Sequence, residues 1–178
     1  MKPNDTGMKQ FFLLILVVAI SSCSSIDKET SVDQNPFAGL WSLHVMEQFN
    51  QETNEWTEWR NGMQGYILYD NTENMSVHLT IRGYENTDLV FPNFTDTIST
   101  EALKYLTNSY VYFAKYAVDH EKKVVQHSRI SHSNPGEWNA IVQRRYIFRG
   151  DTLILQPLEA ETSGLRLKWI KEKVSNKR

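Results

Sequence analysis

The chain has 178 residues and a formal net charge of -2 at pH 7, with a pI near 6.2, so it offers no basic field of the kind that holds nucleic acid. Its single cysteine, Cys23, rules out a disulfide framework. From Asn35 to Val174 there are about 140 residues, enough for one domain with a real core.

At the N-terminal end, the apolar run Phe11 to Ile20 follows Lys2 and Lys9 and is closed by the small residues Ser21 and Ser22 before Cys23. The pattern resembles a bacterial lipoprotein signal with Ile20-Ser21-Ser22-Cys23 as its lipobox. That resemblance implies removal of residues 1 to 22 and a thioether bond from Cys23 to diacylglycerol. The remaining chain then has no thiol for a nucleophile or a metal site. A retained transmembrane anchor is the alternative, but a spanning helix needs roughly 20 apolar residues and the unbroken run is about half that. Met8 is an alternative start that gives a tighter signal. Ser24 to Gln34 is polar and without periodicity, so residues 23 to 35 read as a lipidated tether. The expected location is the bacterial cell envelope, lipid-anchored to a membrane through Cys23, with the outer membrane favoured and the side of display left open.

Beyond the tether the pattern is of short β segments. Trp41, Leu43, Val45 and Glu47 alternate with Ser42, His44 and Met46, and Trp56 to Arg60, Gly65 to Tyr69 and Met75 to Arg82 follow. Polar turns separate them at Asn50 to Asn54, Arg60 to Gly62 and Asp70 to Asn74. After a loop rich in Asn, Asp, Thr and Pro, Ser99 or Thr100 caps a short helix with Glu101 in its first turn and Ala102, Leu103 and Leu106 as its apolar members. Tyr110 to Val118, Lys123 to Ser131, Asn139 to Phe148 and Thr152 to Gln156 follow in meander order, and Leu165 to Ile170 is a last strand. Some nine short strands with tight turns favour an all-β, closed antiparallel barrel of about eight to ten strands, because closure removes sheet edges. The domain is expected over residues 36 to 174, with a tail at 175 to 178.

The order of several blocks resembles the lipocalin-like domains of the calycin barrel group. The opening Phe37-Ala38-Gly39-Leu40-Trp41 is similar to that family's Gly-x-Trp strand. Gly65 to Asp70 with Asn74 to Val77 is similar to its second hairpin. The Tyr112 to Asp119 block, Val124 to His127, Asn134 to Trp138, Arg145-Tyr146 and Gly150 to Leu155 extend the likeness over nearly the whole domain. Ala114, Asn74 and Ala140 stand where glycine is common in the family. The resemblance implies a barrel that is either filled by side chains or open to one small ligand.

Candidate ligand-binding residues are Trp41, Tyr66, Tyr112, Tyr116, His127 and Arg145. Aromatic-lined concave sites with a few polar groups are the usual way to bind apolar molecules, although large rings also pack cores regardless of function. Tyr112, Ala114, Tyr116 and Val118 share a face, where two hydroxyls can frame a small residue. In Lys123 to Ser131 polar residues fall on both faces, as suits an interior that is polar in part. His127 and Arg145 are the expected interior polar pair. The alternative is a satisfied core histidine, with Arg145 paired to Asp119 or Asp151.

No metal or cofactor is expected. The odd spacing of His127 and His132 turns them to opposite faces of a regular strand. Asp70 to Glu73 lacks the glycine and terminal Glu of an EF-hand. Phosphate loops, nucleophile elbows and zinc-helix motifs are missing from the sequence. Asn93-Phe94-Thr95 fits a glycosylation sequon, which carries little weight in a bacterial host.

The leading functional expectation is an envelope lipoprotein whose barrel binds or carries a small apolar or amphipathic molecule. The alternatives are an isomerase or cyclase using His127 as proton carrier, and a structural lipoprotein with a filled barrel. An enzyme needs His127 at a cavity wall with a shifted pKa, whereas a filled barrel has no cavity beyond about 300 Å³. The sequence does not identify a protein partner.

Overall fold

The computed structural model describes residues 35–89, 97–159 and 164–173. The lipobox, Cys23, most of the tether, the sequon at Asn93 and the C-terminal tail all lie outside them.

Nine strands occur among the described residues: β1 (Gly39–Asn50), β2 (Glu55–Glu58), β3 (Met63–Tyr69), β4 (Asn74–Ile81), β5 (Tyr110–Asp119), β6 (Val124–His132), β7 (Ile141–Arg149), β8 (Thr152–Pro157) and β9 (Leu165–Lys171). All pair antiparallel, and β1 also pairs with β9 from Trp41↔Lys171 to Gln48↔Leu165. That second pairing closes β1 and β3 to β9 into an eight-stranded up-and-down barrel. β2 is an extra strand hairpinned onto the far end of β1, from Glu47↔Glu58 to Asn50↔Glu55. The ring and the apolar core both lie between Phe37 and Lys171. That segment therefore contains every pairing its closure needs.

Two register shifts shape the interior. In β1 the partners of β9 skip between Leu43 and Val45. Trp41 and Met46, five positions apart, are consequently both buried, and the strict alternation expected through Val45 and Glu47 is interrupted at His44. In β5 and β6 the register shifts between Phe113 and Ala114, leaving Ile130 as the extra residue. His127, Arg129 and His132 then all face inward. The expectation that His127 and His132 point to opposite faces is thus corrected. A bulge adds one residue to the count, and the added residue reverses the parity of everything beyond it.

The core divides into two ends. At one, Phe37 is fully buried and meets Tyr69, Tyr146 and Phe148 edge-on at centroid distances of 5.3, 4.9 and 5.0 Å. Trp41 closes the same end, its indole Nε1–H donating to the Phe37 carbonyl at 2.7 Å. The Asp70 carboxylate organises the β3–β4 turn by accepting from the backbone N–H groups of Thr72 and Asn74, each at 2.8 Å. Both reach Oδ1, and Oδ2 accepts from the Thr72 hydroxyl at 2.8 Å, so the carboxylate is satisfied within the turn.

At the other end, helix α1 (Thr100–Thr107) begins at Ser99, whose Oγ accepts from Ala102 N–H at 3.1 Å. Of its three expected apolar members only Ala102 is buried. Leu103 and Leu106 are 43% and 50% exposed, so the helix buries a single small residue rather than an apolar stripe. One glycine is sterically required. Gly65 in β3 has φ +142°, and a Cβ there would lie 1.9 Å from the His78 carbonyl oxygen on β4.

Candidate functional site

Between the aromatic plug and helix α1 the barrel encloses a cavity of about 240 Å³, just under the usual lower size for small-ligand pockets. Its wall is chiefly aliphatic, including Ile67, Val77, Leu79, Leu155 and Leu167, with the Trp169 ring beside them. The strand alternation puts these side chains inside, and burying them is what holds the barrel wall together. At the rim, Thr107 to Ser109 from the end of α1 meet Trp59 and Arg60. Arg60 donates to Asn108 Oδ1 at 3.2 Å and lies over the Trp59 ring at 4.1 Å. The Arg60–Asn108 hydrogen bond therefore joins helix to barrel across the rim, with the guanidinium resting on the Trp59 ring.

Polar chemistry in this wall centres on His127. It is 1% exposed, and both ring nitrogens are engaged by tyrosines: Nε2 with Tyr69 Oη at 3.0 Å and Nδ1 with Tyr112 Oη at 2.9 Å. Burial, then the positive charges of Arg144 and Arg129, push its pKa down to about 3, so the ring is neutral near pH 7. The same burial pushes the Tyr112 hydroxyl up to about 12 and Tyr69 well above the ordinary tyrosine value. The result is an uncharged relay of Tyr69, His127 and Tyr112, with His127 and Tyr112 on the cavity wall.

A second buried cluster backs Tyr112. The Arg129 guanidinium lies 4.9 Å above the Tyr112 ring, donates to Tyr110 Oη at 2.6 Å and pairs with Glu137. His132 stacks on Tyr112, 5.6 Å away and 10° from parallel. These contacts hold the ring, so its hydroxyl is a positioned group.

Of the six expected ligand-binding residues, only Tyr112 and His127 line the cavity. Tyr116 is buried, but its hydroxyl donates to the Asp70 carbonyl at 2.8 Å, which makes it a brace for the β3–β4 turn. Trp41 belongs to the aromatic plug. Tyr66 is 51% exposed on the outer face, since its neighbours Ile67 and Tyr69 take the inward positions. Arg145 is likewise exposed, and the arginine that reaches the cavity is Arg144. The pairing expected of Arg145 with Asp119 or Asp151 is replaced by a 2.6 Å ion pair between Arg144 and Glu159. The correction follows from period two: Val142, Arg144, Tyr146 and Phe148 share the face that Tyr146 buries.

Tyr69, Arg144 and Trp169 are the wall and relay residues that sequence reasoning passed over. Arg144 had a readable signal, the alternation just given. Tyr69 had little, because Tyr66-Ile67-Leu68-Tyr69 is apolar at every position and does not reveal which face is inward.

A closed eight-stranded up-and-down barrel with a cavity within it and a short helix at its rim is an all-β, lipocalin-like barrel architecture. The sequence profile of the lipocalin-like domain family matches residues 38–172, and the chain belongs to that family. Two solved structures are similar: a redesigned β-barrel, 12% identical with a TM-score of 0.39 over 78% of this chain and 93% of that one, and a point mutant of the fluorescent protein UnaG, 11% identical with a TM-score of 0.34 over 78% and 97%. A comparison with curated proteins gives no match.

Proposed function

We propose that the protein is a lipid-anchored envelope barrel that binds or carries a small, partly apolar molecule in the cavity between the aromatic plug and α1. One observation carries the reading: an aliphatic cavity with a built, uncharged polar relay in its wall. At about 240 Å³ the cavity lies within the ~300 Å³ bound set for a filled barrel, so the reading rests on the polar relay in the wall rather than on volume. The volume corresponds to about eight waters at ~30 Å³ each, so the fitting ligand is compact.

Proton transfer is the poorer fit to the same residues. A general base works best with a pKa near the working pH, whereas His127 sits at about 3 with both nitrogens already bonded. Positioning a ligand by hydrogen bond needs neither a charge change nor a free ring nitrogen.

Native mass spectrometry of the chain from Ser24 onward, purified without detergent, tests the binding reading. A small molecule carried at near-stoichiometric occupancy, and lost in His127→Ala, is expected. A bare mass under every mild condition, together with no uptake of added apolar molecules, sinks it. The anchor is tested separately by lipid labelling of the full chain, where Cys23→Ser should abolish incorporation and membrane association.

A further inference from the structure

The hydrogen-bond inventory of the cavity wall points to the chemistry of its occupant. A neutral imidazole has one N–H donor and one acceptor nitrogen, so one tyrosine donates to His127 while the other accepts from it. The accepting tyrosine keeps its own O–H proton for another partner. Tyr69 is fully buried, does not line the cavity and has no hydrogen-bond partner besides His127 among the described residues. If Tyr69 were the accepting member, its proton would be stranded, and a buried unsatisfied donor is costly. Tyr69 therefore donates to Nε2, and the Nδ1–H of His127 donates to Tyr112. The Tyr112 hydroxyl proton is the one left over, on a side chain at the cavity wall.

A second unspent donor belongs to a residue of the same wall, its nitrogen closed to water. Trp169 is 1% exposed and lines the cavity, and its buried indole Nε1–H has no acceptor. Trp41 supplies the contrast, because its indole is satisfied by the Phe37 carbonyl. Of the cationic groups at the wall, Arg144 is charge-paired with Glu159, whereas Arg60, exposed at the rim, bonds the neutral Asn108 amide and lies over the Trp59 ring. Among the described residues the wall thus offers unspent neutral donors on Tyr112 and Trp169, beside the Tyr110 hydroxyl, whose oxygen accepts from Arg129, and its cation without a charged partner is Arg60 at the rim.

Resting on the ligand-binding reading above, we propose that the occupant is an uncharged, mostly apolar molecule bearing a carbonyl-type acceptor oxygen, as in a ketone, ester, lactone or amide, recognised by Tyr112 and Trp169. An apolar acid is disfavoured in the cavity interior because a carboxylate there must displace Glu159 from Arg144, the unpaired Arg60 standing at the exposed rim. A plain hydrocarbon leaves both donors unpaired.

Three probes of matched length separate these cases: methyl heptyl ketone, nonanoate and nonane. Their affinities for the chain from Ser24 onward are read by calorimetry and by Trp fluorescence. The ketone should bind at least about tenfold more tightly than either of the others, against the order that hydrophobicity alone imposes on ketone and alkane. In Tyr112→Phe and in Trp169→Phe the ketone should fall toward the level of nonane. Nonane ranked first, nonanoate ranked first, with loss in either Arg144→Ala or Arg60→Ala, or a ketone preference that survives both Phe variants each overturns the proposal while leaving a ligand cavity in place. Binding of none of the three overturns the proposal and the ligand-binding reading together. If a Phe variant does not fold, the ranking on the unaltered chain still decides.

Discussion

Removing the Tyr69 hydroxyl tests the relay in the part of the molecule least open to compensation. In Tyr69→Phe one buried hydrogen bond disappears and His127 Nε2 is left without a donor in a site that is 1% exposed. A buried polar group stripped of its partner costs roughly 1 to 3 kcal/mol, and for a domain of this size that corresponds to a fall in Tm of about 3 to 12 °C. Tyr112→Phe should cost a similar amount by leaving Nδ1–H unpaired. The triple variant Tyr69→Phe, His127→Leu, Tyr112→Phe removes every polar atom of the relay at nearly conserved volume. It should lie within about 1.5 kcal/mol of the parent, less than the two single losses summed, because replacing all partners leaves nothing unsatisfied. Urea unfolding followed by Trp fluorescence gives the midpoints and shows whether m is unchanged. Single losses under about 0.5 kcal/mol, or a triple variant as costly as the sum, would refute the relay as drawn.

Other consequences follow from particular residues. Because His127 has a folded pKa of about 3 against ~6.5 unfolded, the unfolded chain takes up a proton first as pH falls. Its contribution leaves stability unaffected above about pH 6.5 and erodes it from there toward pH 3, by up to 1.36 kcal/mol per unit. Arg129 and Arg144 face the ring with their partners Glu137 and Glu159, whose own protonation affects both proteins compared. The difference in urea midpoint between the parent and His127→Leu should therefore narrow on acidification, and parallel pH profiles would count against it. Gly65→Ala should destabilise by at least about 3 kcal/mol or abolish soluble expression, since its Cβ meets the His78 carbonyl oxygen at 1.9 Å; a loss under about 1 kcal/mol in the same assay contradicts that packing. Arg145→Ala, on the exposed face, should change stability by no more than about 0.5 kcal/mol and leave ligand occupancy in native mass spectra unaltered, and a loss of occupancy would return it to the site.

Much of the barrel is legible in the chain because turns and alternation are local properties. Asp70 to Asn74 announces its hairpin through side chains that satisfy the turn's own backbone, and Ser99 announces α1 by the cap it forms three residues on. Closure is carried by the number of strands and the need to hide edges, and the pairing of β1 with β9 satisfies it. The interior was less legible. A bulge is invisible to period two, so one extra residue at Ile130 brings His132 onto the side of His127. The site was half readable for the same reason. His127 stands on a strand with polar residues on both faces, and Tyr112 on one where two hydroxyls flank a small residue. Their partner Tyr69 comes from a distant strand, and no local pattern links residues 58 positions apart. Phe37, next to the expected opening strand, reads as a lead-in residue and proves to be the plug of the barrel, a role fixed only by where three other rings converge.

The two buried indoles make the most direct test. In a proton–nitrogen correlation spectrum of the chain from Ser24 onward, titration with methyl heptyl ketone should shift the Trp169 indole N–H strongly downfield as its unspent donor acquires an acceptor. The Trp41 indole, already bonded to the Phe37 carbonyl, should stay in place. A stationary Trp169 signal, with shifts confined to Trp41 or to the outer strand faces, would contradict a ligand site in the barrel cavity.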